Sequence, residues 1–97
     1  MEKYNINERN FMAHELIGLK ARVKESTASE RVGMAGKIVD ETKNTFRIET
    51  AKGEKLVPKK ECVFEFALPG NAGVSADGRK LCFRPEDRVK EYWRKAI

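Results

Sequence analysis

The chain has 97 residues, which suffices for one compact core and leaves no room for a second domain. Its 40% hydrophobic and 36% charged content is typical of a soluble globular domain. No apolar run approaches the roughly 18 residues of a membrane helix, and MEKYNINERN lacks the apolar stretch of a signal peptide. These features predict an intracellular, cytoplasmic protein without a membrane partner.

The formal net charge is +5 and the isoelectric point is about 9.4. Positive charge is concentrated in three segments, which are the first predicted strand, a lysine-rich middle segment and the C-terminus. Such a distribution suits a polyanionic partner, although a run of charge is more often simply a solvated face.

The N-terminal part predicts a short helical extension over 7–17, followed by a strand. Asn7 can cap the helix, and Gly18 is a natural stop after it. The stretch 18-GLKARVKES-26 then alternates between two kinds of residue. Its apolar series is Leu19, Ala21 and Val23, and its cationic series is Lys20, Arg22 and Lys24. Period-two alternation predicts a β-strand with one buried face and one exposed cationic face.

The middle of the chain predicts further short strands. Residues 32–50 indicate a hairpin that turns at Lys43-Asn44, and Lys52-Gly53 marks the next turn. Pro58 restricts EKLVP to the edge or the end of a sheet. The stretch 62-CVFEFAL-68 places four apolar side chains on one face, so we expect it to be the central strand of the core.

The last third predicts a hairpin and a helix. Asp77-Gly78 is typical of a two-residue turn, here joining GVSA to RKLCF. Pro85 suits the first helical position of a helix over 85–96, and Val89 and Trp93 recur on one face of it. Six short strands between two terminal helices predict a mainly β fold, a small antiparallel barrel over 18–84, because closure removes exposed strand edges.

Candidate catalytic residues are scarce. His14 is the single histidine, and no CxxC spacing accompanies Cys62 and Cys82, which we interpret as reduced, buried side chains rather than a disulfide or zinc ligands. Paired carboxylates such as Asp40-Glu41 are explained by turns and helix starts. The sequence therefore predicts no catalytic site, no metal site and no cofactor in this chain.

Binding is the hypothesis that is left. The basic side chains could converge on one surface of a small barrel that binds RNA. They are Lys20, Arg22, Lys24, Lys55, Lys59, Lys60, Arg79, Lys80, Arg84 and Arg88.

The order of the motifs adds a family resemblance. HELIGLKARV, VGMAGKIVDETKNTFRIET, a lysine-flanked VPK, CVFEF and DGRKLCFRPEDR follow one another over residues 11–90. In this order they resemble the family of archaeal ribonuclease P protein component 1. The resemblance implies an Sm-like (SH3-like) barrel that serves as a noncatalytic subunit of the ribonucleoprotein that removes 5′ leaders from precursor tRNA.

The resemblance also implies a set of partners. These are the ribonuclease P RNA with its magnesium, a zinc-ribbon protein subunit and, indirectly, precursor tRNA. Candidate partner-binding residues are Phe11, Met12, Leu16, Val89 and Trp93, for which core packing is an equally weighted alternative. The alternative functions are another small-barrel RNA binder, such as a ribosomal protein, and an SH3-like protein-interaction module.

Overall fold

A computed structural model of the chain describes residues 6–7 and 10–96, so the part of the predicted N-terminal helix at 8–9 lies outside the described residues. It contains six strands, one α-helix and several short 3-10 turns. The strands are β1 (Lys20–Ser26), β2 (Ala35–Glu41), β3 (Thr45–Thr50), β4 (Gly53–Pro58), β5 (Cys62–Leu68) and β6 (Ala72–Asp77). The helix is α1 (Pro85–Ala96). The mainly β prediction is confirmed.

The strands bury the faces that their alternation predicts. In β1, Ala21 and Val23 are buried between exposed cations, and Leu19 packs partly against the core. In β5 every second side chain from Cys62 to Leu68 is buried. Phe66 lies at the centre of an aromatic cluster with Phe11, Phe46 and Phe64. The ring centroids of Phe64 and Phe46 are 5.2 Å apart in an edge-to-face arrangement. Such pairs add to the stabilisation that burial itself provides.

The strands form one antiparallel sheet in the order β4-β3-β2-β1-β5-β6. The predicted turns at Lys43-Asn44 and Lys52-Gly53 are confirmed, and Gly53 adopts a φ of +109° that favours glycine. Pro58 ends the edge strand β4, as predicted. Strand β5 is interior, although β2 and β1 occupy the middle of the sheet. Among the described residues no ladder joins the edges β4 and β6, so hydrogen bonding does not close the predicted barrel.

Two 3-10 turns bring the ends of the edge strands together. The turn Lys59–Glu61 follows β4, and the turn Gly78–Leu81 follows β6. A Cβ atom added at Gly78 would overlap the carbonyl group of Lys59, so glycine is needed there for close approach. The predicted hairpin at Asp77-Gly78 is therefore wrong. Gly78 lacks the positive φ of a two-residue hairpin, and the Asp77 carboxylate accepts a hydrogen bond from the Arg79 backbone N–H at 2.9 Å, which starts the 3-10 turn.

A buried ion cluster ties these turns to the sheet. It consists of Glu41, Lys59 and Arg88, whose side chains are all inaccessible to solvent. The Lys59 Nζ lies 2.8 Å from Glu41 Oε2, and Arg88 Nη2 lies 3.0 Å from Glu41 Oε1. Lys59 also donates to the carbonyls of Thr42 and Leu81, at 2.7 and 2.8 Å. We call these three side chains the buried triad.

The buried triad also explains why the predicted helix over 7–17 is wrong. Within the described residues, the segment forms only a 3-10 turn at Phe11–Ala13. The Arg88 Nη1 donates to the carbonyls of Met12 and His14, at 2.6 and 2.8 Å. These carbonyls would accept from backbone N–H groups four residues onward in an α-helix, and here they bind the guanidinium instead.

Helix α1 confirms the predicted C-terminal helix. Pro85 is its first residue, and Glu86 and Asp87 lie in its first turn, where acidic groups favour the helix dipole. Arg88 turns inward toward the sheet from the same turn. In the described part of the chain, no helix has the length and apolar character needed to cross a membrane.

The buried triad yields a stability prediction. Replacing Glu41 with Gln leaves two buried cations without their carboxylate, so we expect the free energy of unfolding to fall by about 3–5 kcal/mol. The exposed Glu49 on β3 provides the control, because Glu49→Gln should change it by less than about 0.5 kcal/mol. Urea denaturation of both variants measures the difference, and equal midpoints would contradict the assigned role of the triad.

Candidate nucleic-acid interface

The exposed cations of β1 lie together on the outer surface of the sheet. Lys20, Arg22 and Lys24 are all exposed, as the alternation predicts, on the side opposite to Ala21 and Val23. Lys24 lies at an irregularity in the pairing of β1 with β5, between Val23 and Glu25, and its Nζ lies 3.4 Å from the Ser75 hydroxyl on β6. We call the sheet surface that carries these residues the cationic face.

Arg22 is held in place by a carboxylate on the neighbouring strand. Its Nη2 and Nε donate to Glu65 Oε1 at 2.7 and 3.2 Å, and the two residues stand opposite each other in the register. The hydrogen bond from Arg22 is the largest cause of a lowered pKa of Glu65, followed by the positive charge of Arg22. Arg22 therefore already binds an oxyanion on this surface.

The cationic face contains a lysine that the sequence interpretation missed. Lys37 on β2 stands directly opposite Lys20 on β1, and both are exposed. Among the described residues, neither lysine has an ion-pair partner within 4.0 Å. Only the strand register brings these positions together, so no local pattern around Lys37 could have revealed them.

An open groove of about 560 Å³ runs across this surface. Its rim carries Lys20, Arg22 and Lys37, together with the carboxylates Glu49 and Glu65. Small residues of neighbouring strands also line it, and they are Ala35, Gly36, Ala67 and Gly73. The groove therefore combines side-chain donors at its rim with backbone that a ligand can approach closely.

The second predicted basic group is divided by the structure. Lys55 is exposed on β4, but it stands opposite the buried Ile48 and so belongs to the other surface of the sheet. Lys60 is exposed in the turn after β4. Lys59 is fully buried in the triad, where burial is the largest cause of its lowered pKa. The assignment of Lys59 to an RNA-binding surface is therefore wrong, because its ammonium is occupied by internal acceptors.

The third group is divided in the same way. Arg79, Lys80 and Arg84 are exposed after β6, and Arg79 pairs with Asp77 at 2.7 Å and holds the pKa of Asp77 at about 2. Arg79 and Lys60 line one shallow cavity beside the end of β1. Arg88, in contrast, is buried in the triad, so its assignment to an RNA-binding surface is also wrong.

The candidate partner-binding residues fall into two sets. Phe11 and Leu16 are buried and belong to the core. Met12 is half-buried against that core, Val89 is half-buried on α1, and Trp93 is 51% exposed. The core alternative therefore holds for the first set. The second set leaves a patch with an exposed indole, and we call Met12, Val89 and Trp93 the helix patch.

The residues that the structure describes contain no cluster of side chains suited to binding a metal ion. No three His, Cys, Asp or Glu side chains there converge as metal ligands. Cys62 and Cys82 are free thiols, the first buried and the second half-buried. The arrangement on the cationic face can bind anions through charge and hydrogen bonds.

Fold and surface together define a small mainly β domain that carries a cationic face on its sheet. Comparison with known proteins gives the family, because residues 9–91 match the family described as Ribonuclease P/MRP, subunit p29. The chain belongs to this family. It is accordingly a noncatalytic protein component of ribonuclease P, which implies a role in the 5′ processing of precursor tRNA.

Individual relatives match along nearly the whole chain. The ribonuclease P protein component 1 of Methanosphaera stadtmanae is 46% identical over 90 residues, which cover 93% of this chain and 97% of that protein. The corresponding protein of Methanothermobacter thermautotrophicus is 46% identical over 91 residues, which cover 93% of this chain and 98% of that protein. The solved structure of Mth11, a homologue of the human RNase P protein Rpp29, is 48% identical with a TM-score of 0.57, covering 78% of this chain and 99% of its own.

The Arg22–Glu65 pair yields a titration prediction. Replacing Arg22 with Gln removes the main cause of the lowered pKa of Glu65, so this pKa should rise toward its ordinary value. Lys24→Gln is the control. The charge of Lys24 makes the smallest contribution to the lowered pKa of Glu65, so this variant should change that pKa less. NMR titration of the Glu65 carboxyl group measures its pKa in both variants.

The same pair fixes the sign of a pH effect on stability. Because the folded-state pKa of Glu65 lies below its unfolded value, the contribution of the pair is present above the unfolded pKa and is lost as pH falls through the folded one. If Arg22→Gln and Lys24→Gln shift the pKa of Glu65 equally, the geometry of the pair in solution differs from that described.

Proposed function

We propose that this chain acts in ribonuclease P by binding the phosphate backbone of the RNA through the cationic face. The observation that supports this most directly is the exposed row Lys20, Arg22 and Lys24 on an interior strand of the sheet. An interior strand holds its side chains in a fixed register. Phosphate contacts from such a strand can position a folded RNA without reading its sequence.

The placement of the aromatic residues favours backbone contacts over base stacking. Phe46, Phe64 and Phe66 are buried in the core. Among the residues that line the groove, Phe66 is the only aromatic. Single-strand binders typically present aromatic rings on which bases stack. The cationic face is better suited to the shape and phosphates of structured RNA.

Catalysis in this proposal belongs to the RNA, with magnesium as its cofactor and precursor tRNA as its substrate. The chain contributes by stabilising one fold of the RNA, so its contact with precursor tRNA is indirect. We place this activity in the cytoplasm. A ribosomal or other small-barrel RNA binder would use the same kind of surface, and the RNA that copurifies with the native chain distinguishes these cases.

A second surface is proposed for the zinc-ribbon protein subunit. The helix patch offers the half-buried Met12 and Val89 beside the 51% exposed Trp93. Exposed tryptophan is frequently a central contributor to protein interfaces. None of the three residues of the helix patch lines the groove on the cationic face, so in this proposal the two partners use different residues.

Salt dependence tests the RNA proposal. The variant with Lys20, Arg22 and Lys24 all changed to Gln should bind ribonuclease P RNA more weakly, with a smaller dependence of affinity on salt. Each phosphate that the variant no longer neutralises removes about 0.7–0.9 from the log–log slope, so three such phosphates would remove about 2–3 units. Binding curves over a salt series measure the slope.

A matched control removes the same amount of charge elsewhere. Lys43, Lys52 and Lys90 are exposed lysines away from β1, and changing these three to Gln should leave most of the slope in place. Equal slopes for the two triple variants would show that only net charge matters. An unchanged slope in the β1 variant would move the RNA surface to other basic residues, such as Lys60 and Arg79.

A second test concerns the helix patch. Trp93→Ala should weaken binding to the zinc-ribbon subunit by about 2 kcal/mol, roughly 30-fold, if the indole fills a pocket on the partner. Leu56→Ala is the matched control, because Leu56 is 58% exposed on β4 and far from α1 in the sequence. Calorimetric titration of each variant gives the affinities, and equal weakening in the two variants would remove the helix patch from the interface.

A further inference from the structure

Lys20 and Lys37 form an unusual arrangement within the cationic face. They stand directly opposite each other on adjacent antiparallel strands. Directly opposed side chains in a sheet are close enough to interact, and like charges there are destabilising. Glu49 on β3 stands opposite Lys37 on its other side, but no carboxylate among the described residues lies within 4.0 Å of either ammonium. An anion bound between the two lysines would attract both ammonium groups and so offset their mutual repulsion.

Arg22 continues the row on the same side of β1. It lies two residues beyond Lys20, which corresponds to about 7 Å along a strand. Its guanidinium holds Glu65 Oε1 through two N–H groups. The carboxylate there occupies a position that a phosphate oxygen could take, because guanidinium groups bind carboxylates and phosphates in the same forked geometry.

The groove allows a backbone to come close to these donors. On the side of the sheet that carries Lys20 and Arg22, Ala35 on β2 and Ala67 on β5 contribute only methyl groups, and Gly73 on β6 contributes none. The surface between the cations is therefore low enough for a sugar–phosphate chain.

We infer that Lys20 and Lys37 together bind one phosphate of an RNA strand, and that Arg22 binds a neighbouring phosphate after it releases Glu65. This inference rests on the proposed RNA-binding function and specifies its central contact. RNA is the occupant that membership of the ribonuclease P family favours, and an acidic peptide is the alternative that the experiment below tests.

The inference is tested with the full-length chain and ribonuclease P RNA across a salt series. The variants are Lys20→Gln, Lys37→Gln and the double variant, with Lys43→Gln as the control for the removal of one charge. If both lysines share one phosphate, the log–log slope of the double variant should fall by about 0.7–0.9 in total. Two separate phosphates would remove about twice that amount, and this would overturn the shared site.

Failure of the inference is distinguishable from failure of the proposed function. If the wild type binds the RNA and Lys37→Gln behaves like Lys43→Gln, the shared site is wrong while RNA binding stands. If the wild type does not bind the RNA, both fail. Polyglutamate provides the alternative occupant, and binding to it as tight as to RNA, with the same weakening in Lys37→Gln, would assign the surface to an acidic protein.

A measurement without RNA checks the anion site itself. The melting temperature of the wild type should rise when phosphate replaces chloride at equal ionic strength, because phosphate relieves the repulsion between the two lysines. Because phosphate also stabilises proteins without a specific site, the increment should be smaller in Lys20→Gln and in Lys37→Gln than in the wild type, and unchanged in Lys43→Gln. No increment in the wild type, or the same increment in all variants, would count against a phosphate between Lys20 and Lys37.

Discussion

The structure depends on one buried carboxylate that neutralises cations from two distant segments. Glu41 at the end of β2 receives Lys59 from the turn after β4 and Arg88 from α1. Desolvation opposes the charge on Lys59 and lowers its pKa, while the hydrogen bond to Glu41 and the charge of Glu41 act in the opposite direction. The buried triad has two cations and one anion, so it carries a net positive charge. Backbone carbonyls that accept hydrogen bonds from Lys59 and Arg88 stabilise the remaining charge. No buried side-chain N or O atom of the described residues is left without a hydrogen-bond partner.

The buried triad determines which cations are available for binding. Backbone carbonyls from the N-terminal segment, the β2–β3 turn and the segment after β6 all accept from Lys59 or Arg88. The sheet edges meet at this point, although their backbones do not pair in the described residues. The same interactions hold α1 and the N-terminal segment against the sheet, and so they position the helix patch. The cationic face lies on the other surface of β1, where Lys20 and Lys37 have no ion-pair partner among the described residues and Arg22 is held only by the exposed Glu65.

Sequence reasoning succeeded where a pattern is local and failed where tertiary contacts decide. Period-two alternation predicted β1 and β5 correctly because burial of one strand face is visible in successive residues. It could not separate Lys59 from Lys60, since adjacent lysines after a proline have the composition of a solvated turn. Likewise, the absence of the predicted N-terminal helix reflects the donors of Arg88, which lies more than 70 residues away. The sequence does contain a weak signal for the inward orientation of Arg88. It lies three residues after Pro85 and four before Tyr92, which places these three residues on one side of α1.

Register is the quantity that sequence alone could not provide for the functional site. Lys20 and Lys37 are 17 positions apart, and shifting the pairing by one residue would place one of them on the buried side. Gly36 helps to fix this register, because its backbone lies so close to β3 that no larger residue fits. A strand pairing that opposes two unpaired lysines carries an electrostatic cost in the free protein. An anion that contacts both lysines would offset this cost, and so the register that opposes them also defines the proposed phosphate site.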